Sequence, residues 1–204
     1  MKRILFLTTL ASLTMLGAQA QDAPAAKVEI KSVKVNGIET PQFQAGNVGD
    51  RRWRPKTWLE VDVEFDIKLP SAQGGRNGSL ASMVMNVYLG FNHKTKDNKT
   101  EFIKGSFTCV DVPAGQSCHL LAYLPPAALR RIFEKDSFTP TSDVPAWGVE
   151  VMLDGTRAAG DSSSKTPWWE KSEAMSLVEG TLLSKQETPY GILWGDYDVT
   201  VKKQ

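Results

Sequence analysis

Residues 58–69 read WLEVDVEFDIKL, and the fold is decided there. Leu59, Val61, Val63, Phe65, Ile67 and Leu69 fall on one parity, while Glu60, Asp62, Glu64, Asp66 and Lys68 fall on the other. Successive side chains of an extended chain point to opposite faces, so this pattern is a long strand with one buried and one solvated face. A sheet with one apolar face needs a second layer to cover it.

Working outward, the same period of two recurs. Residues 27–35 form a first strand whose apolar parity switches at Lys31-Ser32, which predicts a bulge. Asn36-Gly37 then reads as a turn. Residues 80–91 are apolar on both parities and predict a central strand. Residues 101–112, 117–124 and 146–153 read as further strands, with Asp154-Gly155 as a hairpin turn. Pro125-Pro126 ends one strand, and residues 126–133 (PAALRRIF) predict a short helix behind a proline start. Residues 156–166 read as a surface loop, residues 170–183 suit either helix or strand, and residues 190–201 predict a closing strand. The fold class is therefore all-β, an immunoglobulin-like β-sandwich of about seven or eight mostly antiparallel strands with one short crossover helix.

Residues 1–20 have the three parts of a secretory signal: Lys2 and Arg3, an apolar run over residues 4–16, and Ala18-Gln19-Ala20 for cleavage. Residues 21–26 form a loose leader, and residues 27–204 a single domain. An exported chain goes to the periplasm, the outer envelope surface or the exterior. Removing Lys2 and Arg3 takes the basic side chains from 24 to 22 against 23 acidic ones, a net charge near −1. That balance gives no electrostatic footprint for nucleic acid. No apolar stretch of about 20 residues remains to span a bilayer after cleavage.

Cys109 and Cys118 are the only cysteines. They flank a short predicted hairpin, and in an oxidising compartment that position predicts a disulfide. Their spacing is far too short for an antibody-type bond between sheets. His93 and His119 are the only histidines, and neither has a partner at metal-ligand spacing. No nucleophile elbow or complete phosphate-loop motif is present, and Ser162 with Lys165 lacks the companion motifs of a serine hydrolase. The chain is expected to be non-enzymatic, without cofactor or bound metal.

Tryptophan offers the strongest binding signal. Trp58, Trp147 and Trp194 lie in predicted strands and suit packing. Trp53 stands within Arg51, Arg52 and Arg54, and Trp168 and Trp169 follow Pro167 in a loop. Exposed aromatics beside arginine are the residue types that dominate protein interfaces, and aromatic rings also stack on sugars. Arg51, Arg52, Trp53, Arg54, Trp168 and Trp169 are thus the candidate binding residues. Protein partners or self-association come first, and a glycan is the alternative.

Taken whole, from MKRILFLTTL at residues 1–10 through PPAALRRIF at 125–133, TPWWE at 166–170 and GILWGDYDVTVKK at 191–203, the chain resembles a small family. Its members are secreted or envelope proteins of mucin-colonising, Akkermansia-like verrucomicrobia, associated with type IV pilus-like gene clusters. The resemblance implies an immunoglobulin-like fold and an accessory place in a pilus-like or adhesion assembly, acting through protein contacts as an oligomer. It carries over no individual functional residue. The leader lacks the pilin arrangement, so the resemblance does not imply the main pilin subunit.

Overall fold

The elements follow the order β1 (Lys27–Glu39), β2 (Thr57–Lys68), β3 (Ser79–Lys94), β4 (Thr100–Pro113), β5 (Ser117–Leu124), α1 (Pro126–Phe133), α2 (Pro140–Asp143), β6 (Ala146–Leu153), β7 (Thr156–Ser162), β8 (Met175–Leu177) and β9 (Leu183–Ser184). They are taken from a computed structural model that describes residues 26–43, 46, 49, 53–135, 138–171, 173–178 and 182–202. The predicted signal sequence, most of the predicted leader, Arg51 and Arg52 lie outside the described residues. Two sheets stack as a sandwich, one in the order β1-β2-β5-β9 and the other β7-β6-β3-β4-β8.

The alternation of β2 holds residue by residue. Leu59, Val61, Val63, Phe65 and Ile67 are wholly buried, and they meet Met83, Met85, Val87, Leu89 and Phe91 of β3 in one core. The central position predicted for β3 holds, with β4 on one side and β6 on the other. At about 25 cal/mol per Å² of apolar surface removed from water, this inter-sheet layer is the main favourable contribution to folding.

Several local readings are met closely. β1 carries its register shift between Ile30 and Ser32. β5, α1 and β6 begin and end at the residues predicted for them. Helix α1 buries Leu129 and Ile132 and connects the strand β5 of one sheet to β6 of the other. At the β6–β7 hairpin Asp154 has φ 49° and Gly155 φ 78°, the two left-handed residues of the turn whose twist matches paired strands.

Other readings are corrected. Asn36-Gly37 makes no turn, because β1 runs on to Glu39 with Gly37 opposite Leu59. The predicted loop at 156–166 contains β7, which adds to the edge at β6. The predicted closing strand at 190–201 is mostly turns, with one strand bridge, Val201 to Cys109. Those last residues tie the two sheets together. Val199 N–H donates to the His119 carbonyl of β5 at 2.8 Å, while Val110 N–H of β4 donates to Thr200 O at 2.9 Å. Lys202 N–H donates to Thr108 O at 2.8 Å.

The predicted disulfide is also corrected. Cys109 and Cys118 are both free and buried. β4 and β5 are consecutive but belong to opposite sheets, so the connection crosses the sandwich rather than forming an in-sheet hairpin. Both side chains enter the common core from facing sheets, and Cys118 Sγ donates to the Pro113 carbonyl at 3.4 Å instead of bonding to Cys109. Burial pushes the Cys109 thiol up to about 12, with Cys118 adding to the effect, and burial likewise raises Cys118. Neither thiol supplies much thiolate at neutral pH. Thiol titration after denaturation should give two free groups per chain, and reductant should leave the unfolding midpoint unchanged. A midpoint lowered by reductant would show a cross-link.

Candidate functional site

The candidate tryptophans separate into two environments. Trp168 and Trp169 lie on the outer face of the five-stranded sheet, each 8% exposed. The ring of Trp169 stacks on Tyr88 with centroids 4.5 Å apart, and Trp168 meets Phe102 edge-on at 6.1 Å. Gly148 and Gly90 make the room: a Cβ on Gly148 would fall within the Trp169 ring, and one on Gly90 would come within 3.2 Å of Trp168. Around them Tyr88 Oη donates to Glu150 at 2.6 Å, and Arg157 pairs with Glu150 at 3.5 Å and Glu170 at 3.4 Å. Burial and the Glu150 carboxylate push the Tyr88 phenol above its ordinary range. The exposure expected for Trp168 and Trp169 is therefore corrected. Two neighbouring glycines in β3 and β6 let them replace solvent as the cover of a sheet.

The indole N–H groups of this pair differ. Trp168 Nε1 donates to the Trp147 carbonyl at 3.1 Å, whereas Trp169 Nε1 is buried without a partner. An unpaired buried donor costs about 1–3 kcal/mol, and a paired one contributes about 1 kcal/mol. Trp168→Phe should lose roughly 1–2 kcal/mol, while Trp169→Phe should stay within about 1 kcal/mol of the parent, because the orphaned donor leaves with the ring nitrogen. Urea midpoints of the two variants check the order.

On the other sheet, the acidic parity of β2 expected to face water is largely covered. Residues 185–198 cross over it. Tyr197 Oη donates to Asp62 at 2.7 Å, the His119 ring meets the same carboxylate at 2.8 Å, and His119 and Tyr197 stack at 4.2 Å. Tyr123 Oη donates to Glu60 at 2.9 Å, and Tyr190 stacks on Tyr123 at 5.0 Å. Burial pushes the Glu60 carboxyl up, as does the neighbouring Asp62, against opposing hydrogen bonds from Tyr123 and Asn36. Ser32 and Ser117 hold Glu64. His119 is thus part of a structural network, and His93 near the end of β3 pairs with Glu101 near the start of β4 at the surface. Among the described residues no group of three His, Cys, Asp or Glu is placed to hold a metal ion.

Lys185 anchors this crossing segment. It is only 4% exposed, and its ammonium donates to Asp198 at 2.5 Å and to the Trp194 carbonyl at 2.9 Å. Trp194 has φ 50°, an outlier for a bulky residue, and its side chain is 54% exposed. A buried cation therefore holds a strained backbone that presents an indole to solvent. The packing role expected for Trp194 is corrected: its neighbour Leu193 takes the inward place, joining Ile38, Trp58 and Tyr190.

Most of the exposed apolar side chains belong to the two segments that meet at that end of the sheet. Six large hydrophobics are exposed among the described residues: Phe43, Trp53, Leu177, Ile192, Trp194 and Tyr197. Ile192 and Trp194 flank Leu193. Phe43 and Trp53 extend from the β1–β2 connection just beyond Thr40 and Lys56, which close it with a 2.9 Å bond. Tyr190 Oη donates to Glu39 O at 2.9 Å and fixes the two segments to one another. Of the candidate residues, Trp53 and Arg54 thus remain exposed. Phe43, Ile192 and Trp194 join them, a set that sequence period alone missed. The one available signal was Gly191 and Gly195 on either side of Ile192-Leu193-Trp194, which favours a turn over a strand.

A protein-family model matches residues 19–204. The chain belongs to that family. Its membership agrees with the resemblance to envelope proteins of Akkermansia-like bacteria and makes the chain an envelope-type protein. The crystal structure of a protein from Akkermansia muciniphila is similar over 88% of this chain and 94% of that one, with a TM-score of 0.76 at 19% identity. At that identity the likeness shows the fold. No curated protein matches the sequence. No helix among the described residues is long and apolar enough to cross a membrane.

Proposed function

We propose that this family member is an exported, non-catalytic envelope protein, an accessory of a pilus-like or adhesion assembly, that acts through protein contacts at the Phe43, Trp53, Ile192 and Trp194 end. The observation that carries this reading is the presentation of Trp194. A buried lysine and a left-handed backbone keep a large aromatic in water, where it contributes nothing to the core. Strain of this kind clusters at functional sites, and tryptophan is enriched among the residues that carry the binding energy of protein interfaces.

The glycan alternative rested on the loop tryptophans Trp53, Trp168 and Trp169, and two of those three rings are covered. The exposed set also includes Ile192, an aliphatic side chain 77% exposed that suits a protein partner better than a sugar ring. A photo-crosslinking amino acid placed at 53 or 194 in producing cells should yield a discrete protein adduct that Ile192→Glu abolishes. Adduct formation no greater than from exposed position 68 would sink the proposal.

A further inference from the structure

Lys185 has more to donate than its surroundings accept. Its ammonium carries three N–H groups, yet among the described residues it meets two acceptors, Asp198 Oδ1 at 2.5 Å and the Trp194 carbonyl at 2.9 Å. At 4% exposed, the side chain has little access to water for the third. The contact with Asp198 is also shorter than the ~2.7–2.9 Å usual between an ammonium and a carboxylate. A buried pair of charges offsets its desolvation only when the remaining donors and acceptors are satisfied, and here one donor is left over.

We infer that Lys185 and Asp198 join in an intramolecular isopeptide bond, for which the ion pair is the precursor. One proton first passes from Nζ to the carboxylate, leaving a neutral amine against a carboxylic acid. The Nζ lone pair then attacks Asp198 Cγ and forms the C–N bond. The C–O bond of the acid breaks, and the departing hydroxyl takes a proton from the attacking nitrogen and leaves as water. One ammonium and one carboxylate thus give one secondary amide and one water, with net charge unchanged and nothing oxidised or reduced. The amide keeps a single N–H for the Trp194 carbonyl, so the surplus donor disappears.

Three features of the place favour the step. The reacting groups are already in contact, and well-oriented groups react as though at an effective concentration of about 10⁵–10⁸ M. The two side chains are 4% and 11% exposed, so a neutral product replaces two poorly solvated charges. Tyr123 supplies a proton relay: its hydroxyl donates to Glu60 at 2.9 Å, and burial, then the Glu60 carboxylate, then that of Asp198 push its phenol above the ordinary range. The bond closes a ring over residues 185–198 that contains Trp194. The left-handed turn is then held by a link that neither salt nor acid loosens. Ion pair and amide are both lost in Lys185→Ala, so stability does not separate them, whereas mass does.

The test digests the protein purified from producing cells with trypsin under denaturing conditions and weighs its peptides. Trypsin needs a free lysine side chain, so it should not cut after Lys185. Lys185 and the terminal Lys202 are the only basic residues of 172–202, and this stretch should appear as one peptide lighter by one water. Fragment ions should place the link between Lys185 and Asp198. Lys185→Arg keeps a cation but has no amine to react, and its peptides should carry their full mass with normal cleavage at position 185. A parent cut after Lys185 into peptides of full mass, both fresh and after prolonged incubation at neutral pH, overturns the isopeptide bond. A water lost equally from Lys185→Arg overturns it too, because the loss then lies elsewhere. The parent's own peptide map decides the matter even if the variant fails to fold.

Discussion

Lys185→Ala is expected to destabilise the protein by about 3–5 kcal/mol, the usual cost of removing one partner from a buried, hydrogen-bonded ion pair. The loss has two sources. The Asp198 carboxylate, 11% exposed at its side chain, would be left without its cation in a poorly solvated place. The Trp194 carbonyl would lose the donor that holds its strained turn. Double replacement by Lys185→Met and Asp198→Leu removes both charges and should recover a large part of the stability, since an apolar pair of similar volume avoids the desolvation cost. It should not restore the presentation of Trp194, because the carbonyl remains unheld. Urea unfolding gives the first comparison and quenching of tryptophan fluorescence by iodide the second. A loss below about 1 kcal/mol for Lys185→Ala would mean that the pair behaves as a solvated one.

Gly148→Val should be comparably severe, about 3 kcal/mol or more, through a different route. Overpacking alone costs about 1–3 kcal/mol. Here the added atoms would occupy the place of the Trp169 ring, so the indole must leave its stack on Tyr88 and lose its burial as well. Gly148→Ala is enough to start the conflict, since the Cβ itself falls within the ring. Gly90→Ala provides a graded comparison, because its Cβ would meet Trp168 and Ala146 at 3.2 and 3.1 Å, distances that small shifts relieve. Near-ultraviolet circular dichroism should lose the stacked-aromatic signal in the Gly148 variants and keep it in Gly90→Ala. Retention of that signal with an unchanged midpoint in Gly148→Val would show that the indole has another place to go.

The comparison of sequence with structure divides near residue 155. Up to that point each strand covers its own parity pattern with the opposite sheet, and a period of two is enough to find it. The alternation of residues 59–67 and the proline start of residues 126–133 are both local, and they survive unaltered. Beyond that point the chain chiefly roofs faces already made. Trp168 looks exposed from its polar neighbours because the sheet that receives it, marked by Gly90 and Gly148, lies 20 or more residues away in sequence. Tyr197 and Trp194 share a parity-rich segment, yet one bonds to Asp62 and the other faces solvent. That division depends on Lys185, which composition would place on the surface. The cysteines failed as a pair for a related reason: a short connection says that two strands are consecutive, not that they share a sheet.

The terminal residues 199–202 bridge β4 of one sheet and β5 of the other, and this bears on the order of events during synthesis. Residues 199–202 follow every strand of both sheets, so the bridge can close only after those strands have been made. Long-range pairing of this kind is slow because the chain must search before contact rewards it. For a polypeptide that leaves the cytoplasm threaded through a channel, late closure is an advantage. Under the proposed export, the strands would cross before the residues that join the two sheets, and the bridge would close on the far side.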